Sequence, residues 1–340
     1  MAGASLSGVL VRPFVGHLMD KKGRHLYLLI GGLLFLITHL LYLIPNHLGW
    51  GLFFVRLLHG CATGTLMATF FTLAVDLSPH SQRVSGIALF GISGQLSGTI
   101  GVTLAEHVVN LGGYTPLFIF CAILSFISLC FSYFIRDPIE DNREVPLESF
   151  WKRALCSNLR IPFLAAFLFS LGLTSFIVFL KPYAKTVLLN QVSYFFLAYT
   201  LSAISIRLIG GDWPDRYGPK RALIPALCTL ASGITMIVLL PSTGGLIVSG
   251  LLCGLGNGLV FPILSSIIIS RGGESYRGGF MTLYTLIFDL GSLLGAPLFG
   301  LIVKGFGYTA LYAAAATLVF LAVVVIFYFD SEPDSTIKFV

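Results

Sequence analysis

Runs of about 20 mostly apolar residues follow one another along almost the whole chain, and they restrict its fold more than any other feature. Inside a lipid bilayer, backbone N–H and C=O groups must be satisfied within a helix or within a closed barrel. No alternating pattern of about ten residues recurs, which excludes the strands of a membrane barrel. The runs therefore predict an all-α membrane protein.

The charge content supports this interpretation, because only 11% of the 340 residues are charged and 56% are hydrophobic. A soluble domain carries about 25% charged residues, so a soluble fold of this chain would lack the charge to cover its surface. We predict eleven transmembrane helices, at residues 2–18, 26–45, 49–75, 84–108, 115–135, 161–182, 192–213, 220–240, 244–270, 278–303 and 308–329.

The basic residues between these spans predict the orientation of the chain. Fifteen Lys and Arg residues fall in the loops on one side, and only three fall in the loops on the other. Cytoplasmic loops carry such an excess, so we expect the C-terminus in the cytoplasm and the N-terminus outside the cell membrane, which is the inner membrane in a Gram-negative cell. The net charge of +6 lies in short clusters rather than in one basic run, which argues against nucleic acid as a partner.

The chain repeats itself at an offset of 194 to 195 residues. Such a repeat, with both copies in the same orientation, is typical of two parallel bundles related by an axis along the membrane normal. The matching residues occur in the same order in both halves: Arg12 and Arg207, Gly16 and Gly211, Asp20 and Asp215, Gly23 and Gly218, Gly60 and Gly254, Gly64 and Gly258, and Arg83 and Arg277.

The repeat predicts the domain organisation. We expect an N-terminal helical bundle at 1–135, a cytoplasmic linker at 136–160, a C-terminal bundle at 161–330 and a cytoplasmic tail at 331–340. The second bundle has six helices and the first has five, and the unpaired helix is the first one of the second bundle. Its counterpart would precede Met1, so we expect the chain as given to lack the first helix of a twelve-helix design.

Three stretches resemble signature motifs of the major facilitator superfamily of transporters. Residues 16–24 (GHLMDKKGR) are similar to the family's loop between its second and third helices, and residues 211–221 (GDWPDRYGPKR) are similar to the second-half copy. Residues 56–64 (RLLHGCATG) are similar to its fourth-helix motif, and residues 288–291 (FDLG) give a likeness to bacterial efflux permeases. The resemblance implies a secondary transporter that carries a small solute by alternating access, with protons as the expected coupling ion.

The resemblance also implies a gate at the cytoplasmic face, built from both copies of the loop. A basic loop that only sets orientation is the alternative, but such a loop would not need the recurring acid. The predicted gate residues are Gly16, Asp20, Gly23, Arg24, Arg83, Gly211, Asp215, Arg216, Gly218 and Arg277.

Asp20 has three candidate partners within this gate. It can pair with Arg24 or Arg83, or accept hydrogen bonds at a helix N-terminus, where an anion is stabilised by about 0.3–1 kcal/mol. The second copy predicts a matching site made from Asp215, Arg216 and Arg277.

Two charged residues inside the spans are candidates for proton coupling. Arg56 lies within the span 49–75, and Asp289 lies near the middle of the span 278–303. A charge at the bilayer centre costs at least about 2.5 kcal/mol on insertion scales, so each should face the protein interior or a water-filled cavity. The alternative for Arg56 is a structural arginine that bonds backbone carbonyls. The alternative for Asp289 is a permanent partner for an arginine or for backbone groups of a neighbouring helix.

His59 and Asn257 are the candidate substrate contacts, because the resemblance implies that their helices line the central cavity. Where the family's antiporter motif has a Gly-Pro pair, this chain has Gly98-Thr99. We expect export of the solute, with uptake by a symporter as one alternative and a truncated fragment that does not transport as another.

No cofactor, metal site or enzymatic activity is predicted. The six cysteines form no CxxC pair, and no GxxxxGK loop indicates ATP binding. We therefore expect the partners to be a small-molecule solute, protons and the lipid bilayer, with the protein acting as a monomer.

Overall fold

The computed structural model describes residues 2–44, 49–135, 154–189, 192–273 and 276–330. The predicted tail at 331–340 and most of the predicted linker at 136–160 lie outside the described residues. All regular secondary structure within the described part of the chain is helical. The prediction of an all-α protein is confirmed.

The described helices follow the predicted spans. The last of them bends at Gly307, which has a φ of 80°, in the left-handed region that favours glycine. Its 53 residues are enough for two crossings at about 20 residues each. In chain order the helices are α1 (Ala2–Lys22), α2 (Arg24–Leu41), α3 (Trp50–Asp76), α4 (Arg83–Gly112), α5 (Tyr114–Tyr133), α6 (Ser157–Thr186), α7 (Ser193–Gly210), α8 (Trp213–Tyr217), α9 (Pro219–Leu239), α10 (Thr243–Gly272) and α11 (Arg277–Phe329).

Among the described residues, eight helices are long and apolar enough to cross a membrane, namely α2, α3, α5, α6, α7, α9, α10 and α11. α1 and α4 cover the predicted spans 2–18 and 84–108, but they do not belong to this set. The predicted number of eleven transmembrane helices therefore stays a prediction.

Glycines with positive φ separate the helices at both copies of the motif loop. Gly23, between α1 and α2, has a φ of 86°, and Gly218, between α8 and α9, has a φ of 100°. Other residues are strained in this region, so the repeated glycine permits the sharp change of direction. Pro219 then occupies the first position of α9, where its missing N–H group removes no helical hydrogen bond.

The chain forms two compact units. The first consists of Met1–Leu77, Ser93–Arg153 and Gly272–Leu286, and the second consists of Ser78–Ile92, Ala154–Arg271 and Ile287–Val340. Each unit therefore contains a short segment from the opposite half of the sequence, and α4 and α11 are both divided between the units. The sequence repeat did not indicate this exchange of segments.

Within each unit, a glycine of the repeat allows two helices to lie close together. In the first unit, a Cβ atom at Gly64 of α3 would lie 2.7 Å from the carbonyl oxygen of Gly8 in α1. In the second unit, a Cβ atom at Gly258 of α10 would lie 3.0 Å from the carbonyl oxygen of Ala203 in α7. These helices pack through their backbones, as small residues at such interfaces permit.

Candidate functional site

Asp20, near the C-terminal end of α1, accepts hydrogen bonds from the first turn of α11. Its Oδ1 lies 2.9 Å from the backbone nitrogen of Gly278, and its Oδ2 lies 2.7 Å from that of Gly279. The first N–H groups of a helix have no partner within the helix, and the helix dipole also favours an anion there. The Asp20 side chain is only 1% exposed, so it caps α11 in a buried setting.

Charged side chains surround this contact. Arg24 donates from Nη2 to Asp20 at 2.9 Å and from Nε to Asp76 at 2.9 Å. Arg277 donates from Nη1 to the other carboxylate oxygen of Asp76 at 3.2 Å. These two acids and two arginines are formally neutral together, as buried charges must be if they are not to be strongly destabilising. We call Asp20, Arg24, Asp76, Arg277 and the Gly278 and Gly279 N–H groups the first capping site.

Two glycines allow α1 and α11 to approach each other at this site. A Cβ atom at Gly16 would lie 2.6 Å from Oγ1 of Thr282, and a Cβ atom at Gly278 would lie 2.7 Å from Oδ1 of Asp20. Any larger side chain at either glycine must therefore displace its neighbour.

Asp215 makes the equivalent contact in the second unit. Its Oδ1 accepts a hydrogen bond from the backbone nitrogen of Val84 at 3.2 Å, and its Oδ2 accepts one from Ser85 at 2.9 Å. Val84 and Ser85 are in the first turn of α4, which begins at Arg83. Asp20 and Asp215 are repeat partners, so each of these acids caps a helix that begins in the opposite half of the sequence.

The arginines that begin α11 and α4 also occupy equivalent positions. Arg277 bonds to Asp76, whereas Arg83 donates from Nη1 to Oγ of Ser270 at 3.3 Å. Ser270 follows Asp76 by the repeat offset of 194 residues. Arg83 was predicted as one alternative partner of Asp20, but it donates a hydrogen bond to Ser270 instead. We call Asp215, Arg83, Ser270 and the Val84 and Ser85 N–H groups the second capping site.

The two capping sites differ in charge. In the second half, Ser270 replaces Asp76 and Pro219 occupies the position of Arg24. The first site therefore contains two acids and two arginines. Of the equivalent positions in the second site, one holds an acid, Asp215, and one holds an arginine, Arg83.

Both capping acids lie in surroundings that disfavour their charge. Asp20 lies beyond the predicted span 2–18, and burial raises its pKa to about 6, against the lowering effects of Arg24 and of two backbone N–H groups. Asp215 lies in the short helix α8, outside the predicted spans, and burial raises the pKa of its carboxyl as well. In each case, the backbone hydrogen bonds to the carboxylate offset part of the cost of burial.

The predicted grouping of the arginines is wrong. Arg277 lies at the first capping site with Asp20 rather than with Asp215. Arg216 does not join Asp215 either, because its side chain is 70% exposed and lies 3.4 Å from Asp212. The error arises because each acid binds the N-terminus of a helix from the other half, a relationship that the linear repeat does not show.

Sequence reasoning also missed Asp76. This residue ends α3, and its side chain accepts from both arginines of the first capping site. The available signal was an acid at the end of an apolar span, on the same predicted membrane face as Asp20. Its exchange for Ser270 in the second half concealed it from a search for repeated residues.

Arg56 and His59, the candidates on α3, lie among aromatic rings of α2 and its C-terminal turn. The ring centroid of His59 lies 5.5 Å from that of His39 and 5.7 Å from that of Tyr42. The Arg56 guanidinium carbon lies 5.5 Å from the centroid of the Tyr42 ring. Arg56 is exposed, so it does not occupy the protein interior, the first of the two surroundings predicted for it.

Asn257 and Asp289, the remaining candidates, lie in the second unit. Asn257 is buried in α10 and forms a side-chain hydrogen bond with Tyr199 of α7. Asp289 is half-buried in α11. The preceding residue, Phe288, packs its ring against Phe169 of α6 with centroids 5.7 Å apart.

Comparison with known proteins shows which class of protein has this helical fold: it is a membrane transporter. The model of the Major Facilitator Superfamily matches residues 1–188 and 162–338. The chain belongs to the Major Facilitator Superfamily and is a multi-pass membrane protein.

The relatives are transporters rather than enzymes. The multidrug resistance protein MdtG of Dickeya zeae (strain Ech586) is 25% identical over 334 residues, which are 93% of this chain and 80% of the relative. Two solved structures share the fold. The human organic anion transporter MFSD10 (TETRAN) has a TM-score of 0.83 at 19% identity over 95% of this chain and 82% of its own. The E. coli fucose:proton symporter FucP has a TM-score of 0.79 at 14% identity, over 98% of this chain and 91% of its own.

Proposed function

We propose that this protein exports a small organic solute by alternating access, driven by protons, and that the two capping sites are its cytoplasmic gate. The observation that carries the proposal is the reciprocal contact: Asp20 caps α11 and Asp215 caps α4. Each acid holds a segment from the opposite half of the sequence. Movement of one half relative to the other therefore has to break and re-form these contacts.

The chemistry of the first capping site suits a contact that opens and closes. When α11 withdraws, water replaces the hydrogen bonds between the Asp20 carboxylate and the N–H groups of Gly278 and Gly279. Intramolecular hydrogen bonds to charged groups contribute only about 1.5–3 kcal/mol net, because water replaces them. A gate of this strength closes firmly and still opens at a small free-energy cost.

Support for export comes from the likeness to MdtG, whose name describes a multidrug resistance protein. The fold shared with a fucose:proton symporter supports proton coupling, and it also keeps uptake of a solute as the second candidate function. The Gly98-Thr99 sequence, in place of a Gly-Pro pair, favours that second candidate.

Asp289 is the proposed proton-binding residue. It is half-buried in α11, the helix whose first turn Asp20 caps. A proton bound to Asp289 therefore acts on the same helix that the gate must release. Arg56, exposed on α3 above the Tyr42 ring, is the proposed second participant.

Flux through the purified full chain in proteoliposomes tests this function. Ethidium movement is followed by fluorescence with an imposed proton gradient of either direction. Proton-driven export predicts that ethidium moves against the direction of proton flow and stops when the gradient is collapsed. Movement in the same direction as protons would establish the symport alternative. Absence of flux for ethidium and also for the organic anions benzoate and fluorescein would favour a fragment that does not transport.

A further inference from the structure

Arg207 of α7 is a buried cation with an unused hydrogen-bond donor. It is 5% exposed, and its Nε donates to the carbonyl oxygen of Gly258 in α10 at 3.0 Å. Among the described residues, its Nη1 is buried and has no hydrogen-bond partner. A buried guanidinium with a free donor is costly inside a membrane protein, so a functional reason for keeping it should exist.

The surroundings of this guanidinium are polar. Tyr199, two helical turns before Arg207 in α7, is close enough to interact with it electrostatically, and Tyr199 also hydrogen-bonds with Asn257. Asn257 precedes Gly258, the residue whose carbonyl anchors Arg207. Arg207, Tyr199 and Asn257 therefore form one cluster, which lies at the middle of the 30-residue helix α10.

Gly91 of α4 covers the unused face of the guanidinium. A Cβ atom at Gly91 would lie 2.8 Å from Nη1 and 3.2 Å from Cζ of Arg207. Gly91 belongs to the segment Ser78–Ile92 of the second unit, which Asp215 caps at the start of α4. Withdrawal of this segment uncovers Nη1 and leaves space beside it.

Arg12, the repeat partner of Arg207, forms the hydrogen bond from Nη1 that Arg207 lacks in the described structure. Arg12 donates from Nη1 to the carbonyl oxygen of Thr285 at 3.1 Å. Thr285 follows Gly91 by the repeat offset of 194 residues, so the two arginines have equivalent neighbours. Arg207 keeps its Nη1 donor uncommitted at the place where Arg12 uses it.

We propose that Arg207 binds the anionic group of the solute, so that the transported class is small organic anions such as carboxylates and sulfonates. This inference rests on the proposed transport function. A guanidinium binds a carboxylate through two parallel hydrogen bonds, and the side chains of Asn257 and Tyr199 supply neutral hydrogen-bonding groups beside it. Because Gly91 occupies the space where the anion would bind, anion binding favours the open second capping site.

Binding to the purified full chain, measured separately from flux, tests the inference. The probes are benzoate and fluorescein as organic anions and ethidium as an organic cation, and binding is read from the shift in thermal unfolding temperature across a concentration series. The variants are Arg207→Gln, Arg207→Lys and Asn257→Asp, which places a competing carboxylate beside Arg207. Arg160→Gln is the matched control, because Arg160 is exposed and its bonds within the described part of the chain go to the Leu155 carbonyl.

The expected result is that the wild type and Arg160→Gln bind at least one of the two anions, and that Arg207→Gln and Asn257→Asp each lose about tenfold or more in affinity for it. Arg207→Lys should retain an intermediate affinity, and ethidium binding should be unchanged in Arg207→Gln. If Arg207→Gln does not fold, the anion affinity of Asn257→Asp relative to the wild type tests the inference instead.

Three outcomes would overturn the inference: neither anion binds the wild type, Arg207→Gln binds as the wild type does, or Asn257→Asp leaves anion affinity unchanged. Failure of the transport function is distinguishable from these. Anion binding through Arg207 without flux in proteoliposomes would reject transport and keep the anion site. Ethidium flux with no anion binding would reject the anion site and keep transport.

Discussion

Asp20 and Asp215 stand 195 residues apart in the sequence, and each accepts two backbone hydrogen bonds from the first turn of a helix that begins in the opposite half. The sequence repeat thus corresponds to two equivalent contacts, in each of which an acid of one half caps a helix of the other half. The arginine that begins each capped helix follows the same rule, since Arg277 bonds to Asp76 and Arg83 bonds to Ser270.

Replacement of Asp20 by Asn is expected to weaken transport without preventing membrane insertion. An amide presents only one acceptor oxygen to the two N–H groups of α11, and the loss of a hydrogen bond to a charged group shifts the closing equilibrium by about 1.5–3 kcal/mol. Initial flux in proteoliposomes with equal protein content measures the effect. Asp212→Asn is the control, because the Asp212 side chain is 55% exposed. Wild-type flux in Asp20→Asn would count against the gate role.

Replacement of Arg24 by Gln is expected to destabilise the protein by about 3–5 kcal/mol, because it leaves two buried acids without their shared cation. Arg24 is 2% exposed and bonds to both Asp20 and Asp76. Thermal unfolding in detergent should show a large fall in midpoint for Arg24→Gln and almost none for Arg160→Gln. Equal midpoints for both variants would show that the ion pairs of the first capping site do not stabilise the fold.

Replacement of Gly16 by Ala is expected to disrupt the closed gate, because the new methyl group would lie 2.6 Å from Oγ1 of Thr282. Gly300→Ala in α11 is the matched control, since a Cβ at that position meets no described atom within 4 Å beyond the adjoining backbone of its own helix. Elsewhere in a helix interior, the change from Gly to Ala stabilises by about 1 kcal/mol. We therefore expect opposite signs in the two unfolding shifts, and a stabilised Gly16→Ala would contradict the close packing of α1 on α11.

Replacement of Asp289 by Asn is expected to remove the dependence of flux on the proton gradient. Asn cannot take up and release a proton, so the variant should carry out only downhill or exchange flux. Flux is measured at a series of external pH values, with Asp212→Asn again as the control. If Asp289→Asn responds to pH as the wild type does, Asp289 is not the proton site and another group must serve.

The sequence was sufficient to predict the features that depend on local pattern. Apolar runs and the low charge content predicted the all-α class, and the repeat predicted that Gly23 and Gly218 would occupy equivalent positions. Both glycines have positive φ angles, so their local conformations are equivalent as well.

The features that sequence reasoning missed depend on contacts between distant residues. The bond between Asp20 and Gly278 joins residues 258 positions apart, and no local pattern encodes the exchange that brings them together. Asp76 was missed because its repeat position holds Ser270. The free donor of Arg207 was missed because its sequence motif is the same as that of Arg12, which has a partner for the equivalent atom.

Hydrogen–deuterium exchange at the Gly278 and Gly279 amides, resolved by mass spectrometry of peptides from the start of α11, tests the reciprocal contact most directly. We predict slow exchange in the wild type and in Asp212→Asn, fast exchange at these two amides in Asp20→Asn, and the matching change at Val84 and Ser85 in Asp215→Asn. Unchanged protection of the Gly278 and Gly279 amides when the Asp20 carboxylate is removed would contradict the account.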